Sequence, residues 1–379
     1  MRPRLYDVSI SEGGQPKKTF LGTLTTCKRC DVRENTDGVY TLGLDTTVND
    51  DCAGAILSQR FIGIKPNPFD DMQLFEIQKT SRSLKGIITA EAKHIKNLCF
   101  QICSEGDLTF DGQDPKTYTG TPAQTWNKLI TDYITDVVPF SFSSDITTAA
   151  AFRLGFSEAE TLGNILGGKE GSFLDTWHGD YCWDNFNINF LRSRGKKSSY
   201  AIRYGQNISS AIQTEACDGL YSQILPHGKV SYGNRKITFF APPVLISGSQ
   251  SRLRKTFLLD CTSMLDAYSI PDDGSSHEQE YALIRQAMTA YAQKYANDNN
   301  LGIPQVGIKV DVPAALDEMK QLGLYDTVNV ILDNFGTTAT AQITDVTYDA
   351  LNERWKSLTV GSPTVTVADL ILNPRRFNL

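Results

Sequence analysis

The feature that most constrains this chain of 379 residues is the period of its apolar positions, which recur every second residue in short runs broken by turn-forming clusters. Tyr40, Leu42 and Leu44 alternate with Thr41 and Gly43, and Phe186, Ile188 and Phe190 alternate with Asn187 and Asn189. Successive side chains of a strand point to opposite faces of its sheet, so this period predicts half-buried strands. Further short apolar runs lie at 74–77, 87–92, 202–247, 328–332, 341–346 and 358–360. Ser83-Leu84-Lys85-Gly86, Asp184-Asn185 and Arg194-Gly195 supply the turns between them. The chain therefore reads as α+β and mostly β, and its length exceeds what one hydrophobic core usually serves.

Helical period appears in three places. Thr121 can cap and Pro122 suits the first helical position, with Trp126, Leu129, Ile130, Tyr133 and Ile134 on one face. Ser157 and Glu160 have the spacing of a capping box ahead of Leu162, Ile165 and Leu166, with Gly167-Gly168 as the stop. Residues 276–300 carry Tyr281, Ile284, Met288, Tyr291 and Tyr295 at helical spacing, a helix inserted between β segments.

A net charge of −6 argues against nucleic acid as the main partner, because neutralising phosphates needs clustered cations. The one dense basic run, Arg192, Arg194, Lys196 and Lys197 around Gly195, reads as a solvated hairpin turn. The N-terminus lacks the apolar core of a secretory signal and no stretch reaches the ~20 apolar residues of a membrane span, so assembly in a cytoplasm is expected. Eight cysteines then read as reduced, buried thiols.

Residues capable of chemistry are present but scattered. His178, Asp180 and Cys182 would share one face of a strand, but neighbours there stand ~6–7 Å apart, too far for a nucleophile and its base to share a hydrogen bond. Cys27-x-x-Cys30 and Cys99-x-x-x-Cys103 could hold zinc only if separate β segments converged; unligated thiols are the simpler reading. His94 reads as a packing or hydrogen-bonding residue, while His227 and His277 have turn-like surroundings. Asp50-Asp51, Asp70-Asp71 and Asp272-Asp273 lack calcium-loop spacing and read as solvated turns. No phosphate loop, nucleophile elbow or metalloprotease motif is present. No catalytic, cofactor-binding or metal-binding residue is assigned.

Segments 74–77 with 87–98, then Leu166-Gly167-Gly168, Gly171 to Asp175, Asp184-Asn185 and Arg194-Gly195, then Ile202-Arg203-Tyr204-Gly205-Gln206-Asn207-Ile208, form an ordered series. Taken in that order they resemble the prophage tail endopeptidase and phage minor structural protein family, the N-terminal hub module of tail-associated lysins. Leu225-Pro226-His227-Gly228, 322–330, 343–349 and 358–361 continue the series. Leu324-Tyr325 ahead of Asp326-Thr327-Val328 departs from the family's "L-G-D-T-V" pattern.

The resemblance implies a multidomain fold like that of contractile-phage baseplate hubs. Its parts would be an N-terminal β-barrel-like domain (1–110), an α+β domain (111–200), a discontinuous second β-barrel-like domain (201–256 and 328–379) and an inserted helix-containing domain (257–327). The implied function is structural, at the virion tail tip: a homotrimer in contact with the distal tail protein ring, the end of the tape-measure protein and other tip or receptor-binding proteins, serving host attachment and DNA ejection. Such proteins often continue into a lysin domain, whereas this sequence stops at Leu379, so a non-enzymatic module without cofactors is expected. A tail-associated cell-wall peptidase or hydrolase, or a carbohydrate-binding tip module using the abundant Tyr and Trp, are the alternatives.

Overall fold

A computed structural model describes residues 1–104, 117–154, 160–168, 171–203, 210–216, 220–233, 235–265, 268–299, 301–302, 305–311, 321–332 and 337–361. The chain divides into two compact units, Met1–Ile212 with Ile308–Leu379, and Gln213–Gly307. It is mostly β, with several sheets and few helices.

In the first unit the alternating runs form β1 (Arg4–Ile10), β2 (Pro16–Thr23), β3 (Arg29–Asn35), β4 (Tyr40–Thr47), β5 (Phe61–Ile64), β6 (Gln73–Arg82) and β7 (Ile87–His94). They pair antiparallel in the order β2-β1-β5-β6-β7-β4-β3. Tyr40, Leu42 and Leu44 are buried as the period requires, and Leu42 sits opposite Val32 and Ala92. The sheet does not end at β3. Strand Thr337–Asp349 pairs with it, setting Asp345 opposite Asn35 and Asp349 opposite Asp31, and Arg354–Val360 and Gln305–Asp311 follow. Thr337–Asp349 also pairs with Thr327–Leu332, which runs parallel to Lys197–Arg203.

An aromatic core gathers Trp126, Phe140, Phe152, Phe173, Trp177 and Phe190, with Tyr6, Phe61 and Leu74 of the N-terminal sheet packed into the same cluster. Burying each large apolar side chain contributes on the order of 1.5–3 kcal/mol. Helix Pro122–Asp132 starts at the expected Thr121 cap with Pro122 next, and the structure adds a full capping box: Thr121 Oγ1 accepts from Gln124 N and Gln124 Oε1 accepts from Thr121 N. Trp126 lies flat on Phe142 at 4.9 Å.

The second helical signal resolves differently. Ser157 lies outside the described residues, Glu160–Thr161 form a short strand against Cys103–Ser104, and Thr161 Oγ1 accepts from Asn164 N ahead of a single π-type turn, Asn164–Gly168. The Glu160 carboxylate accepts instead from Thr161 N and Asn164 Nδ2.

The second unit carries a five-stranded sheet packed against a long helix, Glu278–Asp298, and a short one, Thr262–Leu265. Gln223–Tyr232 is central: Arg235–Phe240 and Val244–Leu245 pair antiparallel with it, and Thr256–Asp260 and Ser269–Ile270 pair parallel. Ile224, Val230, Phe239, Leu259 and Ile270 face Ile284, Met288, Ala292 and Ala296 of helix Glu278–Asp298. Gly228 is the one residue its strand position accepts, because a Cβ there would stand 2.8 Å from Leu265 Cδ1 and 2.9 Å from Thr262 N. Residues 223–256 thus share a core with the helix, whereas the family-like pattern groups 201–256 with 328–379. Alternation marks a strand but not its partner.

Candidate functional site

A cleft of about 350 Å³ in the first unit gathers Glu34, Asp70, Cys182, Arg194, Lys196 and Asp326 from segments far apart in sequence. At its base the Arg194 guanidinium meets Glu34 Oε1 at 3.3 Å and donates to Tyr181 O at 2.8 Å, with the Tyr325 ring 4.6 Å away. The Arg194 backbone N–H donates to Asp180 Oδ2 at 2.9 Å. Gly195 has φ +80°, and a Cβ there would fall 2.2 Å from Tyr325 O, so only glycine fits.

Asp326 completes the clip. Its two carboxylate oxygens accept from Lys196 N (2.8 Å) and Gly323 N (2.9 Å), while Lys196 O accepts from Thr327 N. Tyr325, at the departure from the family-like pattern, takes φ +71°, which presents its carbonyl to Gly195.

The electrostatics are those of buried, paired charge. Burial raises the Glu34 carboxyl above its ordinary value, opposed by Arg194 and Lys96. Burial lowers Lys96 to about 8 despite Glu34. Burial works against the Arg194 charge, yet Glu34, Cys182 and Tyr325 hold it protonated above its usual range. Such a cluster orders its neighbours; truncating one member leaves an uncompensated charge.

The candidates read from the sequence are dispersed. His178 is the left-handed residue (φ 53°) closing helix Phe173–Trp177, not a strand neighbour of Asp180 and Cys182; Asp180 is committed to Arg194 N. Burial raises the Cys182 thiol, the opposite of an activated nucleophile. The basic run is solvated only in part: Arg192, Lys196 and Lys197 are exposed, but the Arg194 side chain is only 15% exposed, because Glu34 and Tyr181 O offset its desolvation.

Cys27 Sγ donates to Arg29 O, and burial pushes its thiol up to about 12 and those of Cys30 and Cys99 upward as well. Among the described residues the cysteines are unbridged, and no three His, Cys, Asp or Glu side chains converge as metal ligands.

His94 is fully buried, stacked on Tyr40 at 4.3 Å, with Nδ1 accepting from Lys96 N. Nε2 therefore carries the proton and donates to Gln73 Oε1, which also accepts from Asn185 N. Asn185, the left-handed turn residue between strands Asp180–Asp184 and Asn187–Leu191, bonds Leu74 N and Met72 O. His227 lies within strand Gln223–Tyr232 rather than in a turn, and His277 is buried at the start of its helix beside Asp273. Asp50 is in a turn but buried, accepting from Thr26 N, Thr26 Oγ1 and Cys52 N. Tyr204 to Ile208 of the family-like series lie outside the described residues. The Glu34–Arg194 pair has no signature in the sequence beyond the Arg194-Gly195 turn.

The sequence matches no family profile and no curated protein. Solved structures share its fold. A prophage tail protein of Listeria monocytogenes is 15% identical, with TM-score 0.57 over 98% of both chains. The 43 kDa tail protein of prophage MuSo2 from Shewanella oneidensis is 11% identical, with TM-score 0.53 over 96% of this chain and 98% of its own. A tail protein of Neisseria meningitidis is 12% identical, with TM-score 0.53 over 97% of this chain and 99% of its own. No helix among the described residues is long and apolar enough to cross a membrane.

Proposed function

We propose that the chain is a structural component of a phage or prophage tail tip, a homotrimeric hub that surrounds the central channel and joins the sixfold tail tube and distal tail ring to a threefold tip. The observation that carries this reading is the end-to-end likeness to a prophage tail protein, 98% of both chains, which takes in both units rather than one widely shared module. Two barrel-like domains per subunit let three chains match a sixfold ring. The buried clip at Arg194 suits a part that bears mechanical stress, since it ties β3, the 180–184 strand and the 323–327 loop by charge and backbone hydrogen bonds. The site reads as structural rather than catalytic, because its one thiol is held protonated and its carboxylates are engaged.

The partners are then other copies of the chain, the distal tail ring, the end of the tape-measure protein and the receptor-binding components below, in a virion tail assembled in the bacterial cytoplasm. Light scattering of the purified chain, alone and mixed with the distal tail protein encoded beside it, tests the reading. A mass of three chains, formed alone or on the ring, is expected. A chain that stays monomeric at high concentration and ignores the ring sinks it.

A further inference from the structure

The second unit's sheet has two unlike faces. Along its central strand Ile224, Pro226, Gly228 and Val230 are buried toward the helix, so Gln223, Leu225, His227 and Lys229 belong to the other face. Register partners share a face, which sets Leu245 beside Gln223, Leu258 beside Leu225, Phe240 beside His227 and Thr238 beside Lys229. That face is open and apolar at its centre: Leu245 is 72% exposed, Leu258 62% and Phe240 56%. Isolated exposed leucines are ordinary, but here three large apolar side chains from three strands that all pair with Gln223–Tyr232 gather on one face around half-buried Leu225.

Its rim is cationic. Between Asp218 and Asp260 the sequence holds six basic residues and no acidic one, within a chain of net charge −6; by register Lys229 and Lys236 belong to this face, whereas Arg235, opposite Tyr232, belongs to the other and pairs with Asp272. Lys229 and Lys236 sit at one end of the face by register with Thr238 and Ser231. Arg254 is fixed at the other end, donating from Nε to Gln223 Oε1 at 3.1 Å, while Gln223 Nε2 donates to Thr256 Oγ1. Asp260, opposite His227 by register, already accepts from Thr262 N and Oγ1.

We infer that this open face of the Gln223–Tyr232 sheet is a subunit interface that receives a different, acidic surface of a second copy of the chain. Two such faces cannot pair with each other, since that would oppose one cationic rim with another, so the contact is heterologous. Heterologous contacts propagate in one rotational sense and close into a ring when the rotation between subunits is an integral fraction of a full turn, as a third of a turn is for three chains. The complement is the acid excess elsewhere in the chain, which must exceed the net −6 because this segment contributes only cations. The inference rests on the trimeric reading above and gives it a surface, with Leu245, Leu258 and Phe240 as the buried centre and the cations as the steering rim.

The test uses the full chain with the distal tail protein present, comparing wild type, Leu258→Asp with Phe240→Asp, and the charge reversal Lys229→Glu with Lys236→Glu, by light scattering at low and high salt. Far-ultraviolet circular dichroism and the thermal midpoint establish that each variant folds. Expected are a trimer for wild type, weaker self-association at high salt, and a loss of roughly 10-fold or more in association for both folded variants. The charge reversal keeps the test decisive if the aspartate pair fails to fold. Variants that trimerise like wild type overturn the interface while leaving the hub standing. A wild type that never trimerises removes both. Retained trimers together with variant-sensitive binding to phosphatidylglycerol vesicles or to duplex DNA would show that the face serves a membrane or nucleic acid and overturn the assignment.

Discussion

Replacing Arg194 by Met keeps most of the aliphatic stem and removes the charge, which makes the Glu34 carboxyl the reporter of what the pair contributes. Glu34 is 10% exposed in its side chain and its carboxyl is already raised by burial from the ordinary 4.5, with Arg194 the leading opposing influence. Without the guanidinium Glu34 has two options. It can remain ionised and unpaired, at a cost of about 3–5 kcal/mol. Or it can hold a proton, which costs at most about 1.4 kcal/mol for each pH unit above the unfolded value, hence about 0.7 kcal/mol near pH 5 and about 4.8 kcal/mol near pH 8. A carboxyl protonated when folded and ionised when unfolded loses stability as pH rises through that window. The variant's deficit relative to wild type therefore grows with pH, from about 1 kcal/mol or less near pH 5 to about 3–5 kcal/mol near pH 8. Loss of the hydrogen bond to Tyr181 O and of the contact with Tyr325 adds a pH-independent offset of about 1–3 kcal/mol, so the slope is diagnostic and the intercept is not. Urea titrations followed by tryptophan emission isolate the first unit, because Trp126, Trp177, Trp183 and Trp355 all lie within it. Adding Glu34→Gln to the variant should flatten the slope. An equal deficit at both pH values, or a slope that survives in the double variant, would refute the reasoning.

Burial, with Lys96 adding to it, holds His94 well below its ordinary 6.5; its folded value lies under its unfolded one, so its contribution is present above about pH 6.5 and is lost as pH falls, at up to about 1.4 kcal/mol per unit, and His94→Gln should shallow the acid limb of the same urea titrations. Gly195→Ala drives a Cβ onto Tyr325 O at φ +80° and should abolish soluble, native-emission protein, whereas Gly86→Ala, at φ +72° with only Val48 Cγ2 at 3.4 Å, should cost about 1 kcal/mol; comparable yields for the two would contradict the clip geometry. Timed iodoacetamide labelling read by mass spectrometry should modify exposed Cys103 first and leave Cys27, Cys30 and Cys99 intact until urea unfolds the first unit; early labelling of the buried three would contradict their burial.

The elements legible in the sequence are those whose information is local. Thr121-Pro122 with Gln124 encodes a helix start in four residues, and the burial of Tyr40, Leu42 and Leu44 follows from alternation alone. The helix at Glu278–Asp298 lies within the expected 276–300 because its apolar positions repeat over many turns. Partnership is not legible in the same way. Thr337–Asp349 and Gln223–Tyr232 carry the same period, yet the first extends the N-terminal sheet by pairing with β3, some 310 residues earlier, and the second has a separate core with its own helix. The same limit hides the Arg194 site. A lone arginine beside a glycine in a basic run carries the signature of a solvated turn, and what reverses that reading is Glu34, brought against it by the pairing of β3 with β4 and with Thr337–Asp349. Charge burial is decided by who arrives from elsewhere in the chain, so a sequence shows the turn at Gly195 while only the assembled sheet shows why the residue before it leaves water.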